Sequence, residues 1–320
     1  MFEPFATIAN GVRLIRAARE LARHDALFAL GDMPLPISVR ALRWLAKLRL
    51  PWEHAAHAGL ALSPGVRLAN ALNVLGPSYI KLGQMLATRP DIVGEALARD
   101  LMRLQDRLPP FPLQQARDSL ALELGGTVED HFVEFGEAVA AASIAQVHRA
   151  RVAGGELHDV AVKILRPDIE RAFARDLDSF FWLARLLERF SPMAQRLRPL
   201  EVVRTLADSV ALEMDLRYEA AAASELAENM AREIAQKQFR VPLVDWRRTA
   251  RRVLTIEWID GIPIGDREAL IKAGHNPASL ATAVIRVFLQ QAMRDGFFHA
   301  DMHQGNLFVD ASGVIVAVDF

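Results

Sequence analysis

The sequence predicts an α+β fold with an all-helical N-terminal extension, and three observations carry that reading. Residues 64–122 repeat apolar positions at helical spacing, broken at Gly76-Pro77 and again by Pro109-Pro110-Phe111-Pro112, which reads as an extended connector. The texture then turns strand-like: Val133 to Val147, Arg149 to Val152 and Val160 to Leu165, with Gly154-Gly155 turning between the last two. Beyond the next helical patterns come a second strand pair, Val241–Trp246 and Val253–Trp258, and a closing hairpin, Leu307–Val309 with Val314–Val318 around Ser312-Gly313. Runs of strands segregated from runs of helices indicate α+β rather than alternating βα units.

The remaining elements follow from the same periodicities. Residues 1–52 hold eight basic and four acidic side chains, mostly in two helical patterns. Leu14, Ile15, Ala18, Leu21 and Ala22 form an apolar face with Arg13, Arg16, Arg19 and Arg23 elsewhere. The second pattern sets Val39, Leu42, Leu45, Ala46 and Leu48 against Arg40, Arg43, Lys47 and Arg49. Such faces serve helix packing or an anionic membrane surface. Residues 168–190 and 200–236 are long helical patterns, and a helix at 278–295 leads into a polar loop. The expected domains are a helical extension over 1–122, a mixed domain over 123–261, and the start of another over 262–320.

Composition narrows the chemistry. The chain has 320 residues, 52% of them apolar, a net charge of −1 and no cysteine. That is enough for a substantial core. It excludes disulfides, thiolate metal sites and cysteine nucleophiles, and gives no global field for nucleic acid. No run without Asp, Glu, Lys or Arg exceeds 13 residues, too short to span a bilayer. Only five of the 38 basic residues are lysine, so a lysine in a suggestive context points to a need for a compact ammonium. Lys81 and Lys163 are those cases.

The chemistry concentrates in His299-Ala300-Asp301-Met302-His303-Gln304-Gly305-Asn306 and in Asp319-Phe320. Asp301 can orient or deprotonate an acceptor, while Asn306 and Asp319 offer hard oxygens for Mg²⁺ on nucleotide phosphates. His299 and His303 have metal-triad spacing around Asp301, but Gly305 and the adjacent strand argue for a loop, with His299 positioning it. In Val160-Ala161-Val162-Lys163, alternation sends Ala161 and Lys163 to one face of a strand. An amine there can bridge phosphates and needs a carboxylate from a helix. The candidates are Glu213, Asp215 and Glu219. On one continuous helix Asp215 and Glu219 share a face and Glu213 lies about 200° from Asp215. Glu219 is thus the expected partner of Lys163, leaving Glu213 for another cation. Ala140-Ala141-Ala142-Ser143 occupies a turn between strands where glycines would admit phosphates more closely.

Lys81-Leu82-Gly83-Gln84 in a helical extension, the Ala140–Ser143 loop, Lys163, Glu213-x-Asp215 and His-Ala-Asp-x-His-x-Gly-Asn follow one another in this order. Together they resemble the UbiB/AarF/ADCK family of atypical kinases, and the similarity runs from near the N-terminus to Phe320. The resemblance implies a protein-kinase-like small lobe, a helical extension and an incomplete large lobe. It implies that Lys81 and Gln84 belong to a K-x-G-Q helix folded over the nucleotide site, with Lys81 paired to Glu213. Asp301 takes the catalytic-loop position, and Asn306 and Asp319 those of the metal ligands. Ala140, Ala141, Ala142, Ser143 and Lys163 contact the nucleotide, and the backbone of Glu257-Trp258-Ile259 falls where adenine binds. ATP and Mg²⁺ are the implied cofactors.

Two departures qualify the likeness. Met302 and Gln304 stand where many relatives have proline. The chain also stops at Phe320, so it is expected to be truncated and impaired. The expected function is a kinase or ATPase supporting ubiquinone biosynthesis; the alternative is a non-catalytic, nucleotide-gated module binding lipid or partner enzymes. Isoprenoid quinone precursors, biosynthetic enzymes and a bacterial inner-membrane surface met from the cytoplasmic side are the implied partners, with no nucleic acid. Neither a dinucleotide fingerprint nor a convincing iron triad supports a hydroxylase.

Overall fold

The computed structural model describes residues 4–26, 62–102, 104, 108–154, 157–190, 192–231 and 238–320. The second basic helical pattern, over residues 39–49, lies outside them. The chain forms two compact units: Met1–Pro109 with Ala142–Ile144 and Asp168–Ala211, and Pro110–Ala141 with Ala145–Pro167 and Leu212–Phe320.

The first unit is helical. It contains α1 (Pro4–Arg23), α2 (Pro64–Leu75), α3 (Pro77–Ala87), the short α4 (Pro90–Val93) and α5 (Glu95–Leu101). Prolines open α2, α3 and α4, where the missing N–H costs no helical bond. Gly76 ends α2 at φ 106°, a conformation that favours glycine. Leu68, Leu72, Ile80, Leu101 and Leu104 are buried together as its core. The apolar face of α1 is used for packing, with Leu14, Ala17 and Ala18 buried. Arg13 on α1 donates to the Arg175 carbonyl at 3.1 Å, and Ser179 donates to Asn10 at 3.1 Å. Arg175 and Ser179 lie on α8 (Ile169–Phe190), which α9 (Pro192–Leu197) and most of α10 (Pro199–Glu213) follow.

The second unit holds α6 (Leu113–Leu124), the single turn α7 (Val128–His131) and two four-stranded sheets. The first sheet has the order β1 (Glu134–Ala141), β2 (Ala145–Arg151), β3 (Asp159–Leu165) and β5 (Val253–Glu257), all antiparallel. Val160, Val162 and Ile164 point to a core shared with Ala116, Leu120 and Phe132, which leaves Ala161 and Lys163 on the opposite face. The β1–β2 pairing carries register shifts between Phe135 and Ala140. There the buried His148 ring meets the Gly136 carbonyl through Nδ1 at 2.8 Å.

The second sheet has the order β4 (Phe239–Arg240), β8 (Ile315–Ala317), β7 (Leu307–Val309) and β6 (Ile262–Pro263). β4 runs parallel to β8, and the other pairs are antiparallel. Its core joins Leu226, Met230, Phe239, Val287, Leu307 and Ile315, drawn from these strands, α11 (Leu216–Ala231) and α13 (Pro277–Gln290). α12 (Arg267–Lys272) precedes α13.

Several expectations need correction. The helix expected over 200–236 breaks after Glu213 and restarts at Leu216, so Glu213, Asp215 and Glu219 do not share one helical phase. The physical cause is local. The Asp215 carboxylate accepts the Arg217 N–H at 3.1 Å and clamps the Arg217 guanidinium at 2.8 and 2.6 Å. Leu216 gives its N–H to Arg251 at 2.8 Å. The strand expected over Val241–Trp246 is reduced to an isolated bridge between Val244 and Ile256. Pro242 offers no N–H, and Asp245 accepts the Arg247 N–H at 3.1 Å to start a 3₁₀ turn at Trp246–Arg248. The first two strand patterns divide at residues 142–144 rather than at His148. The helix expected to reach 295 is α-helical only to Gln290 and ends in a π turn, Gln291–Asp295.

Candidate functional site

β3 delivers Lys163 by ladder geometry. Its Nζ lies 2.8 and 2.9 Å from the two carboxylate oxygens of Glu219 on α11, and 2.6 Å from Asp319 Oδ1. Phase on a continuous helix pointed to Glu219; the residue does meet Lys163, from the first turn of a separate helix. The Glu219 side chain is 11% exposed and that of Asp319 47%, so the two carboxylates sharing the ammonium have unequal solvation. Burial works against the Lys163 charge, yet Asp319 and Glu219 outweigh it and hold the amine's pKa above its ordinary value. Burial, opposed by Lys163 and aided by the Asp319 charge, pushes Glu219 up to about 8. With one ammonium for two carboxylates, the more buried acid is the harder to ionise.

The loop bearing Asp301 and Asn306 is held by side-chain-to-backbone bonds. His299 is buried, and its Nδ1 accepts the Asp301 N–H at 3.2 Å. Its ring lies 5.2 Å from that of Phe320, and burial lowers its pKa. This is a positioning role. His303 Nδ1 accepts the Gly305 N–H at 2.9 Å. A Cβ on Gly305 would come within 2.7 Å of that same ring, so this closure needs glycine. Asn306 donates through Nδ2 to the Asp301 carbonyl at 3.2 Å, which orients its Oδ1 as the free-ended acceptor of the amide. The Asp301 side chain is 73% exposed. Met302 packs against the second core.

The other expected residues fall in four places. Ala140 and Ala141 end β1, paired with Val147 and Gln146, and Ala142 and Ser143 form the following turn. Glu257 ends β5; its N–H donates to the Leu243 carbonyl at 2.8 Å and its carboxylate accepts from Arg240 at 2.9 and 3.0 Å, with Ile259 half-buried beyond it. Lys81 and Gln84 lie on α3 in the first unit, and Glu213 ends α10. Gly83 between Lys81 and Gln84 is a packing requirement, because a Cβ there would meet Leu104 at 2.5 Å and Leu72 at 2.7 Å. Arg240 escaped the sequence reading. It also lies 3.6 Å from Asp310, and neither partner is near it in sequence.

The donor chemistry fits Mg²⁺ with nucleotide phosphates. Asn306 and Asp319 present oxygen donors on either side of the β7–β8 hairpin. Among the described residues no three His, Asp or Glu side chains gather into a cage of their own. Mg²⁺ suits a site of one or two protein oxygens completed by phosphates and water. Among the described residues no helix is long and apolar enough to cross a membrane.

Comparison with known proteins supplies the family. The ABC1 atypical kinase-like domain matches residues 103–320. A Marinobacter nauticus protein named "Probable protein kinase UbiB" is 41% identical over 315 residues, covering 96% of this chain and 55% of its own length. A Pseudomonas aeruginosa protein of the same name is 40% identical, covering 96% of this chain and 57% of its own. The chain therefore spans a little over half the length of these curated relatives. Among solved structures, Rv3197 of Mycobacterium tuberculosis in complex with erythromycin matches with a TM-score of 0.57 and 30% identity, over 75% of this chain and 58% of that one. With Lys163, Glu219, Asp301, Asn306 and Asp319 all inside the matched region, the chain belongs to the ABC1 (UbiB/AarF/ADCK) family of atypical kinase-like proteins.

Proposed function

We propose that this chain binds Mg-ATP and acts as an atypical kinase or ATPase supporting ubiquinone biosynthesis, the role carried by the UbiB name of its relatives. One observation carries the nucleotide reading: the Lys163 ammonium stands within 2.6–2.9 Å of both Glu219 and Asp319, joining the first sheet to the segment after the catalytic loop. Glu219 holds the amine in place for the nucleotide phosphates, and Lys163 releases Asp319 as those phosphates take over its charge. Asn306 Oδ1 and the Asp319 carboxylate hold Mg²⁺, which when bound neutralises charge developing on the transferred phosphoryl group. Asp301 orients the acceptor hydroxyl or water and takes up its proton.

The same proposal includes the division into a K-x-G-Q extension (1–122), a small lobe (123–261) and the start of a large lobe (262–320). It includes nucleotide contacts from Ala140–Ser143 and the Glu257–Ile259 backbone, a Lys81–Glu213 ion pair with Gln84 and Asp215 beside it, and peripheral contact with the membrane where isoprenoid precursors reside. A second reading, a nucleotide-gated binding module without turnover, is favoured by the alanines at 140–142, which limit backbone approach to phosphates.

The test is phosphate release and Mg-ATP-dependent thermal stabilisation of the 320-residue chain beside an Asp319→Asn variant. Release above the variant supports the enzyme. Stabilisation without such release supports the binding module, and absence of both overturns the nucleotide proposal.

A further inference from the structure

Leu280, Ala283 and Val287 form the buried stripe of α13, and the next position on that stripe is a glutamine, Gln291. Its side chain is 0% exposed and reaches an otherwise apolar core. A buried amide demands partners. The helix widens into a π turn at this residue, and such turns recur at functional positions. Gln291 Oε1 accepts the His299 N–H at 3.2 Å. Its Nε2 faces Met230 Sδ at 3.9 Å. Met230 lies about three turns along α11 from Glu219, on the same face.

From Gln291 a continuous series of hydrogen bonds runs through the site. His299 Nδ1 accepts the Asp301 N–H at 3.2 Å, the Asp301 carbonyl accepts Asn306 Nδ2 at 3.2 Å, and the Asn306 carbonyl accepts the Val318 N–H at 3.0 Å, one residue before Asp319. Each link after the first involves Asp301, Asn306 or the residue directly before Asp319. Gln291 is the only member that starts from a helix rather than from the loop.

We infer that Gln291 is a positioning residue that fixes the spacing of Asp301, Asn306 and Asp319, and hence sets Mg²⁺ affinity independently of the hold of Lys163 on nucleotide. The inference rests on the nucleotide reading proposed above. Gln291→Leu keeps the volume and removes the acceptor; Gln291→Glu keeps an acceptor oxygen. For the whole chain, Mg²⁺ would be titrated against thermal stabilisation at saturating nucleotide, and fluorescent-ADP affinity measured in EDTA.

Gln291→Leu is expected to weaken Mg²⁺ by about tenfold or more, as loss of an outer support does at metal sites, with metal-free nucleotide affinity within about twofold and Gln291→Glu within about threefold of the parent. Unchanged Mg²⁺ affinity, or equal losses in both measurements, would overturn it. If the parent binds no nucleotide, the functional proposal fails, and hydrogen exchange at the Asp301 and Val318 amides decides the positioning role alone. Faster exchange in Gln291→Leu supports it, and unchanged exchange sinks it. Should the leucine variant not fold, Gln291→Met takes its place in both measurements.

Discussion

In the sheet β1–β2–β3–β5 the Lys163 ammonium rides on a strand whose neighbours fix it through an unbroken ladder on both sides. Around β4–β8–β7–β6 the strands run two or three residues, with Asp301 and Asn306 in the loop before β7 and Asp319 just after β8, and that loop is held by bonds such as His299–Asp301 and Asn306–Asp301. The first region is rigid by repetition, the second by a few specific contacts. A strand-borne group tolerates the loss of a neighbouring side chain at the cost of stability. A loop-borne group loses its geometry when one bond goes.

The sharpest test of this contrast removes one charge from each side. Lys163→Ala and Asp319→Asn are both expected to lower Mg-ATP turnover by about a thousandfold, roughly 4 kcal/mol in the barrier. Only the Asp319 variant is expected to leave metal-free nucleotide binding intact. Equal loss of metal-free binding would erase the distinction. Next in size, Ile164→Ala empties a fully buried position of the core beneath the sheet β1–β2–β3–β5 and should cost about 2–4 kcal/mol of stability by denaturant titration. Nucleotide affinity of the folded fraction should change little; a parallel collapse would mean the ladder does not insulate Lys163.

Gly305→Ala probes the loop side. The added methyl displaces the His303 ring and should cut turnover by about tenfold with a loss of stability near 1 kcal/mol. A catalytically silent alanine would show that this closure is dispensable.

The smallest effect is a pH dependence in the first sheet. Burial lowers the His148 pKa, and Gln146 and the Gly136 carbonyl contact its two ring nitrogens. The native state therefore binds fewer protons than the unfolded chain, so stability is present above the ordinary histidine value and is lost as pH falls below about 6.5. Comparing melts at pH 5 and 7.5, His148→Gln should flatten that acid loss. An unchanged acid slope would count against it.

The same contrast explains what could be read in advance. β3 and its lysine followed from two-residue alternation, because each strand residue's facing is set by its immediate neighbours. The break at Met214-Asp215 did not, because helical periodicity continues through it. Only the Asp215–Arg217 clamp and the Leu216–Arg251 bond reveal it, and Arg251 is distant in sequence. The failed strand at Val241–Trp246 had a visible warning in Pro242. Gln291 left a fainter one, a polar residue on an apolar stripe.

By itself the sequence determined the kinds of group available, their order, and the family they belong to, since residue type and spacing are local properties. Tertiary structure alone decided that one ammonium serves two carboxylates of unequal burial, and that the buried Gln291 amide meets the His299 N–H at the start of the loop carrying Asp301. Both depend on solvent exclusion and on partners brought together from far along the chain. Local periodicity records neither quantity.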